Sequence, residues 1–215
     1  MFHFDSARLG HCGQTVFERL DLQIADGEQV ALLGPSGAGK STLLAALRAQ
    51  QPDRCAWCPQ QGDLVPMLSV FHNIYMGALD RHSRWRNLRT LVWPQQRERQ
   101  AVTNVAKPLG LADKLFTSID QLSGGQAQRA ALGRALFSQR PVLLADEPVS
   151  SLDEHQALQL IHHVLDRHAT AVVAMHDRAL ALACFQRVVG IRHGRVVLDA
   201  AARELCLTDL DRLYQ

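Results

Sequence analysis

The chain has 215 residues, 47% hydrophobic and 20% charged, a composition that fits one compact domain, or one domain with an inserted lobe, and excludes intrinsic disorder. Lys plus Arg number 23 and Asp plus Glu 21, and the net charge of +2 gives no electrostatic ground for a nucleic-acid coat protein. No apolar run reaches the roughly 18 residues of a membrane-spanning helix, and residues 1–5 lack the basic-then-apolar order of a signal peptide, so a cytoplasmic location is expected, with any membrane crossing left to another chain.

Taken in chain order, Gln29–Leu33 (QVALL) reads as a short buried strand running into a glycine-rich loop. Residues 40–49, rich in Leu and Ala, read as a helix. Residues 55–58 (CAWC) read as a strand, in which Cys55 and Cys58 point to opposite faces and cannot share a metal. With five cysteines scattered along the chain, reduced thiols are expected rather than a disulfide framework. From about 70 to 137 there is no comparable strand run. Residues 95–109 and 124–137 carry helical periodicity, and Pro66, Pro94 and Pro108 punctuate the segment. Residues 142–145 (VLLA) form a second buried-type strand, 154–167 a helical pattern, 171–175 (AVVAM) another strand and 178–185 another helix. Residues 187–192 and 195–199 flank His193-Gly194, which reads as a hairpin turn. Continuous apolar strands alternating with helices predict an α/β fold, a mostly parallel sheet covered on both faces. The expected division is an α/β core from 1–65 and 140–215, with a helical subdomain inserted at 66–139.

Gly34-Pro35-Ser36-Gly37-Ala38-Gly39-Lys40-Ser41 matches G-x-x-x-x-G-K-[ST], placed after a strand and before a helix as that motif requires. Glycines let successive backbone N–H groups converge on one concavity, and the helix N-terminus adds positive potential for phosphate. Lys40 is placed to reach β- and γ-phosphates, and the Ser41 hydroxyl to ligate Mg²⁺. The strand 142–145 delivers Asp146 and Glu147 to its C-terminal end, the ligand-binding edge of an open sheet; Asp146 would hold the Mg²⁺ shell and Glu147 polarise an attacking water. Leu122-Ser123-Gly124-Gly125-Gln126 opens a helix and makes a second anion-binding N-terminus, which need not face the same nucleotide within one copy.

These motifs, in this order, followed by Ser150-Ser151-Leu152-Asp153 and a strand-end His176, resemble the ATP-binding cassette (ABC) ATPases over nearly the whole chain. The resemblance implies a P-loop NTPase core, ATP and Mg²⁺ as cofactors, and a head-to-tail dimer with two ATP molecules held between the P-loop of one copy and the LSGGQ of the other. Thr42 and the loop residues before it would then bind ATP. Gln60 resembles the glutamine that contacts Mg²⁺ and the attacking water. Ser123, Gly124, Gly125 and Gln126 would meet ATP in trans, Asp153 resembles the aspartate linking the two sites, and His176 the switch histidine on the γ-phosphate. Implied partners are a second copy, membrane permease subunits and, indirectly, a substrate-binding protein, with the chain peripheral on the cytoplasmic face of the membrane; a nucleic-acid partner is not expected. Within the family, Gln60-Gln61 through Leu64, Leu68-Ser69-Val70, Asn73-Ile74, Gly77-Ala78-Leu79, the Trp85-containing insert, LLADEPVSSLD and the ending Leu210–Tyr214 look most like phosphonate import ATPases. A soluble accessory protein of phosphonate breakdown, or an ABC protein for another cargo, stays open.

Three departures from the family pattern stand out. His11 falls where an aromatic side chain normally stacks on adenine. Only 19 residues separate Lys40 from Gln60, too few for the usual antiparallel arm. Ala200 stands where many relatives carry Gly. Elsewhere, Arg81, Arg84, Arg86 and Arg89 cluster around Trp85 with no acid between them, which fits a solvated face of the lobe, an anionic-lipid contact or nucleic-acid binding. His155, His162, His163 and His168 read as one solvated helical stretch. Leu64, Pro66 and Met67 are apolar where relatives receive the permease, and core packing explains them equally.

Overall fold

The computed structural model describes residues 1–215 apart from Cys12, Gln61, Gly62 and Gln215, with His11 described by its backbone alone. β1 (Phe2–His11) and β2 (Gln14–Ile24) form an antiparallel ribbon; β3 (Gln29–Leu33), α1 (Lys40–Gln50) and β4 (Cys55–Cys58) follow. Between β4 and β5 lie α2 (Val70–Tyr75), a 3-10 turn at Met76–Arg81, α3 (Arg84–Val92), α4 (Gln96–Ala106), short 3-10 turns at Ala112–Lys114 and Ile119–Gln121, and α5 (Gly124–Phe137). The chain closes with β5 (Val142–Asp146), α6 (Glu154–Leu165), β6 (Thr170–Ala174), α7 (Arg178–Cys184), β7 (Arg187–Arg192), β8 (Arg195–Ala201) and α8 (Leu207–Asp211). The main sheet has the order β4-β5-β6-β3-β7-β8, parallel throughout except β8.

The continuous apolar strands are explained by two separate cores. Val30, Leu32, Val142 and Leu144 face α1 and the inward side of the ribbon; Ala31, Leu33, Leu143 and Ala145 face α2, α4 and α5 with α6 and α7. Cys55 lies in the first core and Cys58 in the second, so the expected opposite facing holds, and burial pushes the Cys58 thiol up to about 12. His193 (φ 48) and Gly194 (φ 66) occupy the predicted β7–β8 turn, both left-handed as a type I′ turn requires.

The ribbon is absent from the sequence reading. Its alternation is broken in β1 by register shifts between Phe4 and Ala7, Ala7 and Leu9, and Leu9 and Gly10. Phe2, Phe4, Phe17, Leu20, Leu22 and Ile24 nonetheless turn inward. At about 1.5–3 kcal/mol each, an upper bound, they hold a two-stranded element that would be marginal alone. A four-residue link joins α1 to β4, so no arm intervenes there.

The histidine reading needs one correction. α6 ends at Leu165, and His168 lies beyond it, buried, its Nδ1 3.1 Å from the Val164 carbonyl. Burial holds this ring below the ordinary value near 6.5. The unfolded chain therefore takes up the proton first as pH falls, so stability is complete above about 6.5 and declines below it. His72, His82 and His163 shift in the same direction and add to the loss. Thermal scans are expected to show a falling Tm below pH 6.5, and His168→Gln to reduce that fall; an unchanged pH slope would clear His168.

Candidate functional site

The parallel register builds the site. β5, β6 and β3 are adjacent, with Asp146 opposite Ala174 and Leu32 opposite Ala174, and the Met175 amide donates to the Leu32 carbonyl. The loops leaving these three strands thus emerge side by side at their C-terminal edge, the position where open α/β sheets bind ligands. They carry the glycine-rich loop, Glu147 and His176.

The loop after β3 curls through Gly34 (φ 147), Gly37 (φ 78) and Gly39 (φ 114). Gly39 is the N-cap of α1 and supplies no side chain, so the first-turn amides are left to the loop's concavity. Ser36 and Gly37 are exposed at its tip, while Pro35, Ala38 and Thr42 pack inward to varying degree. The Lys40 ammonium, on a residue only 6% exposed, donates to the Gly34 carbonyl at 2.7 Å and the Pro35 carbonyl at 3.1 Å. Burial lowers its pKa, opposed by the charges of Glu147 and Asp146. Asp146 is buried at the end of β5, and burial raises its pKa, opposed by the nearby Ser41 side chain.

Glu147 adopts a left-handed backbone (φ 51), with its amide donating to the Ala174 carbonyl. Its Oε1 lies 2.6 Å from His176 Nε2. A carboxylate and an imidazole in contact beside a buried ammonium, a hydroxyl and a second carboxylate form a site suited to moving a proton next to a polyanion.

The LSGGQ segment sits elsewhere. Ser123 and Gln126 form a reciprocal capping box on α5: Ser123 Oγ accepts from the Gln126 amide at 3.3 Å, and Gln126 Oε1 from the Ser123 amide at 3.1 Å. Gly124 and Gly125 line a cavity of about 450 Å³ with Gln60, Gln128, Ser150 and Ser151. A Cβ on Gly125 would overlap the Ser151 hydroxyl. Among the described residues, none of the loop 34–42 lines that cavity. Asp153 caps α6, accepting from the Gln156 amide at 2.9 Å. The side chain of His11, and Gln61, lie outside the described residues.

Residues 17–150 match the family model described as ABC transporter. This chain belongs to the ABC transporter family. The phosphonates import ATP-binding protein PhnC of Pseudomonas putida (strain KT2440) is 37% identical, covering 99% of this chain and 89% of that protein. PhnC 1 of Pseudomonas savastanoi pv. phaseolicola is 36% identical over 94% of this chain and 86% of its own length. The alignment to the first spans 241 positions, at least 26 more than this chain has residues, so the cassette is shortened relative to that protein. A dimeric structure of a bacterial ABC transporter cassette superposes with a TM-score of 0.79 at 24% identity, covering 94% of this chain and 99% of that one. A nucleotide-free ATP-binding cassette from an ABC transporter gives 0.75 at 17% identity over 98% of this chain and 97% of its own. Among the described residues, no helix of this cassette is long and apolar enough to cross a membrane.

Two contacts of the cassette site escape a motif reading. Gln128 Nε2 lies 3.2 Å from both the Pro59 and the Asp146 carbonyls, tying α5 to the segment carrying Gln60 and to the end of β5. Its place two residues after LSGGQ was the only sequence signal. The second is Tyr214, 180 residues from its partner: its hydroxyl accepts from the Gly34 amide at 3.3 Å, and the Arg178 guanidinium sits over its ring, 5.4 Å from the centroid. Arg178 also pairs with Asp211 and opens the helix that follows His176. Tyr214→Phe removes the hydroxyl alone. The expected result is a several-fold rise in the KM for ATP with kcat retained, from the loss of one hydrogen bond of about 1 kcal/mol on the loop. A fall confined to kcat would count against this positioning role.

Proposed function

We propose that this chain is the ATP-hydrolysing subunit of an ABC importer whose cargo is a phosphonate or a related phosphorus oxyanion. The observation that carries the hydrolytic reading is the Glu147–His176 contact at 2.6 Å, delivered by adjacent strand ends beside Lys40 and Asp146. The import and cargo reading is supported by the names of the relatives.

Gly34, Pro35, Ser36, Gly37, Ala38, Gly39, Lys40, Ser41 and Thr42 would cradle the phosphates, and the His11 end of the ribbon would lie on the adenine side. Mg²⁺ fits the donor set: a serine hydroxyl and a carboxylate are hard oxygen donors. Ser41, Asp146 and Gln60 would hold the ion, which when bound neutralises charge on the transferring phosphoryl group. Lys40 exchanges its loop carbonyls for β- and γ-phosphate oxygens. Glu147 orients the attacking water and takes its proton, while His176 holds the Glu147 carboxylate and reaches the γ-phosphate.

The separation of the LSGGQ cavity from the P-loop supports the head-to-tail homodimer, in which Ser123, Gly124, Gly125, Gln126 and Asp153 act on ATP held by the partner copy. The helical subdomain is taken as 66–139, inserted in the core of 1–65 and 140–215. Between them, a second cavity of about 490 Å³ is lined by Arg48, Trp57, Asp63, Leu79, Arg134 and Arg140. This groove would receive the cytoplasmic segment of a membrane permease, with Pro66 and Met67 exposed on the segment leading from Asp63 to α2. The substrate-binding protein would be reached only through that permease, and the chain would work at the cytoplasmic face of the membrane.

Uptake of a radiolabelled alkylphosphonate by cells lacking the chain tests the proposal. Import should vanish, return with the wild-type chain and stay absent with Lys40→Ala. Intact uptake with impaired breakdown would replace the importer by the accessory reading.

A further inference from the structure

We infer that α3 lies on the surface of an anionic phospholipid bilayer when the ATPase is docked. The helix is inside out. Its inward side is polar: Arg86 Nη2 bonds the buried Glu98 carboxylate at 2.8 Å, Asn87 Oδ1 accepts from the Tyr75 hydroxyl at 3.1 Å, and Thr90 is fully buried. Its outward side carries Trp85, Leu88 and Val92 in one stripe at helical spacing, with Leu91 alongside and Trp93 just past the end. Trp85 is 82% exposed, Val92 76% and Trp93 72%. A helix serving only to cover its own domain has the reverse arrangement, so this stripe calls for an apolar environment outside the chain.

The charge pattern identifies that environment. Exposed Arg84 and Arg89 flank the stripe on its two sides. Residues 81–97 contain no carboxylate, and the first one after them, Glu98, is buried and occupied by Arg86. Arginines bordering an apolar stripe with tryptophan at both ends match a headgroup layer, where phosphates take the cations and the rings sit at the apolar boundary. The helix is also continuous with the groove assigned to the permease: Asn87 Nδ2 donates at 2.9 Å to the carbonyl of Leu79, a groove-lining residue. That orientation toward the membrane rests on the docking reading above; the composition of the helix does not.

The test is flotation of the purified chain with phosphatidylcholine vesicles, with and without phosphatidylglycerol, in the absence of any permease. Binding is expected to the phosphatidylglycerol vesicles and to weaken with salt. The Arg84→Gln/Arg89→Gln variant should bind roughly thirtyfold more weakly, from two charges lost near an anionic surface. Trp85→Ser/Val92→Ser should also release the chain. Both variants should hydrolyse ATP in solution as the wild type does, which reports intact folding. No flotation, or flotation undiminished in both variants, overturns the inference. So does loss of permease capture in detergent in these variants, which would make the occupant a protein, or loss of a wild-type dimer by light scattering without ATP, which would make it a second copy. Failure with vesicles leaves the permease groove standing, because no permease is present in that arm.

Discussion

Glu147→Gln is expected to lower steady-state ATP hydrolysis by about 10²- to 10⁴-fold while leaving nucleotide binding intact. The amide preserves the length and shape of the side chain, and can still hydrogen-bond His176 from the same position, 2.6 Å from its Nε2. It cannot take a proton from water. The backbone of residue 147, left-handed and tied by its amide to Ala174, makes no demand that glutamine fails and glutamate meets. Phosphate release and equilibrium nucleotide binding measure the two halves of the result. Because hydrolysis would reopen the dimer, gel filtration of the variant should also show a shift from monomer to dimer with Mg-ATP. Undiminished turnover would remove Glu147 from the chemistry and leave the His176 contact as a structural one.

The second large effect is expected from Gly34→Ala. Gly34 has φ 147, and an added Cβ would overlap the carbonyl oxygen of Ile191. That oxygen belongs to β7, which is paired to β3 along its length, so neither strand can yield without disturbing the sheet. Backbone strain of about 1–3 kcal/mol adds to a clash with main chain, and a loss of at least about 3 kcal/mol is expected. Gly37→Ala is the comparison: φ 78 is also left-handed, but nothing lies within 4 Å of its Cβ, so the cost should be about 1–2 kcal/mol. Denaturant unfolding of the two variants separates strain from collision. Equal losses would mean that the Ile191 contact contributes nothing.

The central strands were legible because both faces of β3 and β5 are covered, and a strand buried twice is apolar at every position. The β7–β8 hairpin was legible from two residues, since His193-Gly194 supplies the left-handed pair its turn needs. β1 was not, because its bulges break the period-two signal. α3 was hidden for the opposite reason: its pattern is present but inverted, and a periodicity argument assumes that the apolar side is the buried one. The site was legible in its local parts, each glycine-rich or acidic segment standing at a strand or helix end. What joins those parts was not, because the Glu147–His176 contact depends on the β5–β6 register and the Tyr214–Gly34 contact on a separation of 180 residues. Gln128 is in the same class, visible only once α5 is laid against β5.

Lys40 is already clasped by its own loop, through the carbonyls of Gly34 and Pro35. The ammonium therefore ties the two ends of the turn together in the folded loop. A polyphosphate then meets a cradle whose conformational entropy has been lost beforehand, and little remains to be ordered at the encounter. Affinity in such a loop reflects an exchange of partners around one cation, two neutral dipoles given up for charged oxygens, rather than the assembly of a binding surface from a slack chain.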